Sequence, residues 1–159
     1  LSMILFAALL GHLFWNGRGK LFTGDSGSLF AGFYLAGLVL YWVEVQHASV
    51  WVAPLLFIAF LADVLLTLVW RYKHGRSLLT PHREHIYQIM LTVGISHPLT
   101  AWIYVWISLH GALIAGLSLL FPPGGAVAAF VVFVGILYYL HRRIRASAIR
   151  NGFLNPEPQ

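Results

Sequence analysis

The 159-residue chain is 59% hydrophobic and only 9% charged, with a mean hydropathy of +0.78. This composition excludes a water-soluble domain and predicts an integral membrane protein. The absence of cysteine excludes a disulfide framework and thiolate chemistry. In a membrane protein, the net charge of +5 indicates membrane orientation and contact with anionic phosphates, rather than nucleic acid binding.

The apolar runs predict an all-α polytopic bundle of about five transmembrane spans, because one span needs roughly 20 mostly apolar residues. The predicted spans cover residues 1–14, 27–45, 50–70, 99–121 and 126–140. We assign residues 1–143 to this bundle, with polar loops at 15–26 and 71–98, and residues 144–159 to a cytoplasmic tail. The chain opens inside an apolar run at Leu1, so we expect it to be the C-terminal part of a longer protein.

The basic residues all follow the first, third and fifth predicted spans. They are Arg18, Lys20, Arg71, Lys73, Arg76, Arg83, Arg142, Arg143, Arg145 and Arg150. Connections on that side of the membrane therefore carry every lysine and arginine, and the positive-inside rule makes the side cytoplasmic. The sequence predicts a multi-pass protein with a polar site at its cytoplasmic surface.

A lone carboxylate, Asp25, stands at the mouth of the second predicted span, in the run Phe-Thr-Gly-Asp-Ser-Gly-Ser at 22–28. A charge beside hydrocarbon is costly unless it is hydrated, paired or bound to a cation. The flanking glycines permit a tight turn and the close approach of a ligand to the backbone. Two interpretations stay open: Asp25 caps the following helix, or it binds a metal ion or a phosphate.

A second polar segment follows the third predicted span. Thr80 and Pro81 are typical first residues of a helix. The apolar residues that follow at helical spacing are Ile86, Ile89, Met90 and Val93. This pattern predicts a short amphipathic helix on the cytoplasmic membrane surface, with its apolar face toward the lipid.

The polar residues displayed near this helix are His82, Arg83, His85, Tyr87 and Gln88. His82 and His85 are spaced so that they could share a metal ion, bind phosphate or substrate, or serve no chemistry. Arg83 is the best phosphate candidate, because a guanidinium grips phosphate oxygens in pairs and stays charged. Within the third span, Asp63, Thr67 and Arg71 recur every four residues. For Asp63 we expect pairing with a neighbouring helix more than direct contact with a ligand.

Two segments resemble a known family. Lys-Leu-Phe-Thr-Gly-Asp-Ser-Gly-Ser at 20–28, within 16–33, resembles the cytoplasmic Gly-Asp-x-Gly-Ser motif of the polyprenyl-phosphate N-acetylhexosamine-1-phosphate transferases, glycosyltransferase family 4. Pro-His-Arg-Glu-His-Ile-Tyr-Gln at 81–88 is similar to the histidine-rich loop that comes later in the same superfamily, and 63–71 also looks like its members. The resemblance covers about residues 10–100 and corresponds to the C-terminal half of such an enzyme.

The resemblance implies transfer of an N-acetylhexosamine 1-phosphate from a UDP-sugar to undecaprenyl phosphate, with release of UMP, at the start of a lipid-linked cell-envelope glycan. It implies Mg²⁺ as cofactor and the bacterial cytoplasmic membrane as location. It gives catalytic roles to Asp25, as the metal-binding aspartate, and to His85. The implied substrate-binding residues are Asn16, Lys20, His82, Arg83, Tyr87 and Gln88. The implied partners are the UDP-N-acetyl sugar, undecaprenyl phosphate, the bilayer and, as a candidate, a second copy of the chain.

The sequence departs from the family pattern in three places. Tyr87 and Gln88 replace the commoner histidine run, a variant that resembles O-antigen-initiating transferases rather than the peptidoglycan enzyme. Residues 17–19 stand where a proline-containing turn is usual, and the link from Asn16 to Asp25 is one residue shorter. An adjacent Asp-Asp pair, which the family carries in its N-terminal half, does not occur. We therefore expect this chain alone to be inactive and the full-length protein to be the enzyme.

Two other functions stay open. A transporter or assembly subunit would use Asp63 and the histidines as a polar path, and an inactive paralogue would bind polyprenyl phosphate without catalysis. A transporter should concentrate its polar groups at mid-bilayer. In this sequence they gather at the predicted cytoplasmic rim, which favours the transferase.

Overall fold

A computed structural model describes residues 2–122 and 124–154, and these residues form seven α-helices and no strand. The helices are α1 (Ser2–Asn16), α2 (Gly24–Val45), α3 (Val52–Leu56), α4 (Ile58–Lys73), α5 (Ile86–Thr92), α6 (His97–Ser118) and α7 (Gly124–Arg150). The predicted all-α class is confirmed. The chain divides after Ala48 into two compact units, with α1 and α2 in the first and α3 to α7 in the second.

In the first unit a short loop joins α1 to α2. The Thr23 hydroxyl and His12 Nε2 lie 2.7 Å apart, which ties the end of the loop back to α1. Gly24 begins α2 with φ +63°, a left-handed conformation that costs glycine little and other residues more. This left-handed conformation explains why a glycine directly precedes Asp25.

In the second unit α6 packs against the junction of α3 and α4. A Cβ atom at Gly111 would lie 2.4 Å from the Leu55 carbonyl oxygen and 2.7 Å from Ile58 Cγ2, so only glycine permits this approach. The core beside it contains Ile58, Ala62 and Leu137, which bring α4 and α7 together. Small residues at such contacts are typical of helix packing in membranes.

Three helices are long and apolar enough to cross a membrane, namely α2, α6 and α7, and α1 is a shorter apolar helix. Many large apolar side chains on the helices face outward, as lipid-facing residues do; Phe33 is 84% exposed and Phe60 is 70% exposed. The predicted third span is not one continuous helix, because the backbone leaves helical geometry at Phe57 between α3 and α4.

Two predicted boundaries were wrong. The helix predicted to begin at Thr80 begins instead at Ile86, because the Thr80 hydroxyl accepts a hydrogen bond from Arg71 at 3.2 Å rather than capping a helix. Residues 144–150, assigned to the tail, belong to α7. The rest of the predicted tail is described only to residue 154.

The orientation predicted for the amphipathic helix was also wrong. Ile86, Ile89 and Met90 do form one apolar face, but that face packs on Ala148 of α7 and on Ile103 of α6. The apolar face is therefore covered by the protein's own helices, and its burial fixes the position of the polar residues that precede α5.

Candidate functional site

Asp25 is the second residue of α2, and its side chain is exposed. Thr23 occupies the N-cap position, so the interpretation of Asp25 as the helix cap was wrong. Ser28 donates a hydrogen bond to the Asp25 backbone carbonyl at 3.0 Å. Among the described residues, no hydrogen bond or ion pair engages the Asp25 carboxylate, which leaves its oxygens open to a ligand.

The two other predicted site residues of the first unit lie in the loop before Asp25. The Asn16 side-chain amide donates to the Leu21 carbonyl at 2.8 Å, so Asn16 holds the loop that leads to Asp25. The Lys20 ammonium lies 5.9 Å from the centre of the Trp15 ring and is exposed. The substrate contacts predicted for Asn16 and Lys20 stay predictions.

In the second unit the buried carboxylate Asp63 joins three elements. One of its oxygens accepts from the Ile86 backbone N–H at 2.8 Å and from the Thr67 hydroxyl at 3.3 Å. The other accepts from the Tyr104 hydroxyl at 2.6 Å. The prediction that Asp63 pairs with a neighbouring helix is therefore confirmed, and the bond to Ile86 fixes where α5 begins.

A second buried carboxylate, Glu84, lies between two arginines. Arg71 Nη1 and Arg76 Nη1 each donate to one of its oxygens. All three side chains are almost fully buried. Arg71 also donates through Nε to the Ser77 carbonyl at 3.0 Å, so it binds both ends of the segment from Ser77 to Glu84. Buried charges are stable only when paired and hydrogen-bonded in this way.

A third arginine, Arg145 on α7, supports the same segment from behind. Its Nη2 donates to the Glu84 backbone carbonyl and to Thr67 Oγ1 at 3.0 Å, and its Nε donates to His141 Nε2 at 3.3 Å. Arg145 is 2% exposed and lies within α7, so its assignment to the cytoplasmic tail was wrong. The segment that carries the predicted site residues is therefore clamped from both α4 and α7.

Arg83 is an exposed residue of this clamped segment. It lines a cavity of about 460 Å³ together with Arg71 and Arg76, beside the backbone of Pro81 and His82. Among the described residues, three arginines and one acid, Glu84, line this cavity, so the described lining is net positive. A positive cavity with an exposed guanidinium is suited to binding phosphate oxygens.

Aromatic rings continue along the segment from His82 to Tyr87. The centres of the His82 and His85 rings lie 5.1 Å apart, and those of His85 and Tyr87 lie 5.9 Å apart. His85 Nδ1 lies 3.7 Å from the Asp63 carboxylate, too far for a hydrogen bond, and it has no hydrogen-bond partner among the described residues. The Gln88 side-chain oxygen accepts from the His85 backbone N–H at 3.2 Å, so Gln88 caps α5 and its predicted substrate contact stays a prediction.

Burial lowers the pKa of His82, and the nearby charges of Arg71, His85 and Arg145 lower it further, against a smaller opposite effect of the Thr80 carbonyl. His82 is therefore neutral over a wider pH range than a free histidine. Its Nδ1 lies 3.2 Å from the Thr80 carbonyl. His82 thus contributes a hydrogen-bonding ring to the segment rather than a cation.

The donor set bears on the magnesium prediction. Among the described residues, no three histidine or acidic side chains gather as a metal cluster would require. Mg²⁺ needs less from the protein, because it takes one or two carboxylates and completes its shell with phosphate oxygens and water. The exposed carboxylate of Asp25, which makes no described hydrogen bond or ion pair, fits that role. For a metal ion shared by His82 and His85, the described residues provide no third ligand.

The structure thus places the predicted residues in two groups. Asn16, Lys20 and Asp25 lie in the first unit, and His82 to Gln88 form one supported segment in the second. Their convergence on one ligand stays a prediction. Sequence reasoning missed Glu84 and Arg145; the only signal for Glu84 was its position as the single acid among the basic residues of 71–98.

Comparison with known proteins gives one family and a set of relatives. Residues 1–43 match glycosyl transferase family 4. Decaprenyl-phosphate N-acetylglucosaminephosphotransferase of Mycolicibacterium smegmatis is 33% identical over 90% of this chain and 40% of its own length. Probable undecaprenyl-phosphate N-acetylglucosaminyl 1-phosphate transferase of Bacillus subtilis is 26% identical over 87% of this chain and 39% of its own.

A third relative is the undecaprenyl-phosphate alpha-N-acetylglucosaminyl 1-phosphate transferase of Escherichia coli, 28% identical over 82% of this chain and 36% of its own length. The chain thus spans two fifths or less of these curated relatives. No solved structure gave a significant match. The resemblance drawn from the two sequence motifs is confirmed.

Proposed function

Because the chain belongs to glycosyl transferase family 4, we propose that its protein transfers N-acetylglucosamine 1-phosphate from UDP-N-acetylglucosamine to a polyprenyl phosphate. An oxygen of the polyprenyl phosphate attacks the phosphorus that carries the sugar. The bond from that phosphorus to the bridging oxygen breaks, and UMP leaves with the electron pair. The observation that carries this proposal is the similarity, over most of this chain, to relatives named for this transfer.

Phosphoryl transfer requires mainly that charge be neutralised and that the two phosphates be positioned. Arg83 and the positive cavity beside it would bind diphosphate oxygens, and His85, whose ring centre lies 5.1 Å from that of His82, would hold one further oxygen. Tyr87 is 41% exposed next to His85, where its ring can stack on a base or a sugar. Asp25 would hold Mg²⁺, which when bound neutralises the diphosphate. These roles rest on the protein bringing the two groups of residues together.

We place this site at the cytoplasmic face of a bacterial inner membrane, with about five crossings. Helices α3 and α4 together cover residues 52–73, and at 1.5 Å per residue they reach about 33 Å, enough to cross jointly. The positive-inside rule supports the orientation. Within the second unit, Arg71 at the end of α4 and Arg145 near the end of α7 both contact the segment before α5, as one shared side requires.

The test replaces Asp25 with asparagine in the full-length protein. We expect Mg²⁺-dependent release of UMP from UDP-N-acetylglucosamine, with polyprenyl phosphate as acceptor, to fall about 100-fold, the scale on which electrostatic groups at a reacting phosphate act. The matched control is Glu44→Gln, which removes the other carboxylate of α2 at its opposite end, and should leave the rate unchanged. Near-normal release by Asp25→Asn would remove Asp25 from the site.

A further inference from the structure

A separate cavity of about 360 Å³ lies between α4 and α7 in the second unit. Its lining residues include Leu66, Val69, Trp70, Lys73, Tyr138 and Arg142. It shares no lining residue with the cavity beside Arg83 or with the one beside His85 and Tyr87. It is therefore not part of the candidate transferase site.

The lining changes character along both helices in the same direction. On α4 the apolar Leu66 and Val69 come before Lys73, and on α7 Tyr138 comes before Arg142. Trp70 and Tyr138 stand at the junction, where aromatic side chains mark the boundary between hydrocarbon and headgroups. The lining is thus apolar around Leu66 and Val69 and cationic at Lys73 and Arg142, a pattern that suits an acyl chain beside a phosphate.

Arg145 forms the inner wall of this cavity, and its guanidinium lies 4.4 Å from the centre of the Trp70 ring. Although Arg145 is almost fully buried, its Nη1 has no hydrogen-bond partner among the described residues. A buried donor without a partner costs roughly 1–3 kcal/mol, and more when it is charged. The Arg145 cation thus adds to the positive charge of the cavity wall, although its Nη1 atom is itself covered.

The charge of the cavity favours an anionic acceptor. The described residues that line it include Lys73, Arg142 and Arg145 and no carboxylate. The nearest buried acids are already engaged, since Asp63 accepts from three donors and Glu84 pairs with two arginines. Basic pockets between membrane helices at the cytoplasmic side typically bind phosphate headgroups.

We propose that this cavity binds the phosphate group of an anionic phospholipid, with Lys73 and Arg142 contacting the headgroup and an acyl chain lying along Leu66 and Val69. Because Arg145 both lines the cavity and donates to the Glu84 carbonyl, a lipid bound here would stabilise the segment that presents Arg83. The proposal does not depend on the transferase reaction, and its test measures binding alone.

The experiment uses native mass spectrometry of the full-length protein in detergent, titrated with phosphatidylglycerol or phosphatidylcholine. We expect phosphatidylglycerol to bind about tenfold more tightly. The double variant Lys73→Gln/Arg142→Gln should lose that preference, and the charge-preserving Lys73→Arg/Arg142→Lys should keep it. The control is Arg143→Gln, which removes the neighbouring charge; Arg143 does not line the cavity and instead contacts the Tyr139 ring. Lys73 and Arg142 are exposed, so these variants should fold.

Three results would overturn the proposal. The first is equal binding of the two phospholipids, and the second is an unchanged preference in the double variant. The third is displacement of phosphatidylglycerol by equimolar inorganic phosphate or farnesyl phosphate, which would assign the cavity to a soluble anion or to the acceptor substrate. Arg145 is left unchanged throughout, because its loss would also release Glu84.

Discussion

The two units of the chain treat a carboxylate in opposite ways. In the first unit Asp25 is exposed at the start of α2, and no described side chain contacts its carboxylate. In the second unit Asp63 is 8% exposed and accepts hydrogen bonds from Ile86, Thr67 and Tyr104. A charged residue in an apolar chain therefore indicates either an open site or a closed structural network, and only its partners distinguish the two.

The same contrast separates residues proposed to bind substrate from residues that stabilise the fold. Glu84 accepts from two arginines in the interior, whereas the neighbouring Arg83 stays exposed. Breaking a buried pair should destabilise the fold strongly, because a charge is left alone in a medium of low dielectric. Removing an exposed group should leave the fold intact and change only binding. The predictions below test this division.

The largest effect on stability is expected for Asp63→Asn. The amide presents one acceptor oxygen to donors that now share a charged carboxylate, and hydrogen bonds to charged groups contribute roughly 1.5–3 kcal/mol each. We expect the free energy of unfolding to fall by about 2–4 kcal/mol, measured as thermal unfolding in detergent.

Asp25→Asn is the matched control for that measurement, because it makes the same chemical change at an exposed position. It should alter the melting temperature by no more than about 1 °C while lowering activity. If Asp25→Asn destabilised the protein as much as Asp63→Asn, the division between an open site and a closed network would be wrong.

The sequence predicted the helical class and the polar segments because both depend on local signals. Long apolar runs and the scarcity of charge indicate membrane helices. Ile86, Ile89 and Met90 were read correctly as one apolar face, since helical spacing alone determines it. Val93, predicted on the same stripe, is the C-cap of α5 and is exposed. What covers that face depends on α6 and on α7, whose Ala148 lies about 60 residues further along the chain, and helical spacing does not predict that packing.

Long-range pairing also explains the two boundary errors. Thr80 is a typical helix cap, but its hydroxyl accepts a hydrogen bond from Arg71 instead. The helix begins at Ile86, whose backbone N–H donates to the Asp63 carboxylate. Arg145 has the appearance of a tail charge, yet it is buried against Glu84. The position of Asp25 at the start of α2, in contrast, followed from a short motif. Arg83, predicted within the helix that begins at Thr80, lies before α5.

A middle-sized effect is expected for Arg83→Ala on nucleotide binding. Losing one charge-assisted phosphate contact should weaken binding of UDP-N-acetylglucosamine about 10-fold to 100-fold, without a change in melting temperature. Isothermal titration of the full-length protein measures it. Arg143→Ala is the proper control, because Arg143 is exposed and on α7, whereas Arg145 is structural. Equal weakening by Arg83→Ala and Arg143→Ala would argue against a specific contact.

The smallest effect concerns pH and the segment that His82 belongs to. Burial lowers the pKa of His82 in the folded protein below its ordinary value of 6.5. Between those two values the unfolded chain binds more protons than the folded one, so stability falls as the pH drops through 6.5 toward the lowered pKa. Above pH 6.5 the contribution is constant, because the ring is neutral in both states.

From pH 7.5 to pH 5.5 we therefore expect the melting temperature of the wild-type protein to fall further than that of His82→Gln. The difference between the two falls should be about 2 °C at most. The control His110→Gln removes an exposed histidine of α6 that contacts only its own helix, and it should keep the full drop. Only the difference between the two variants is informative. If His82→Gln and His110→Gln showed the same drop, the partial burial of His82 would have no role in supporting the segment that presents Arg83.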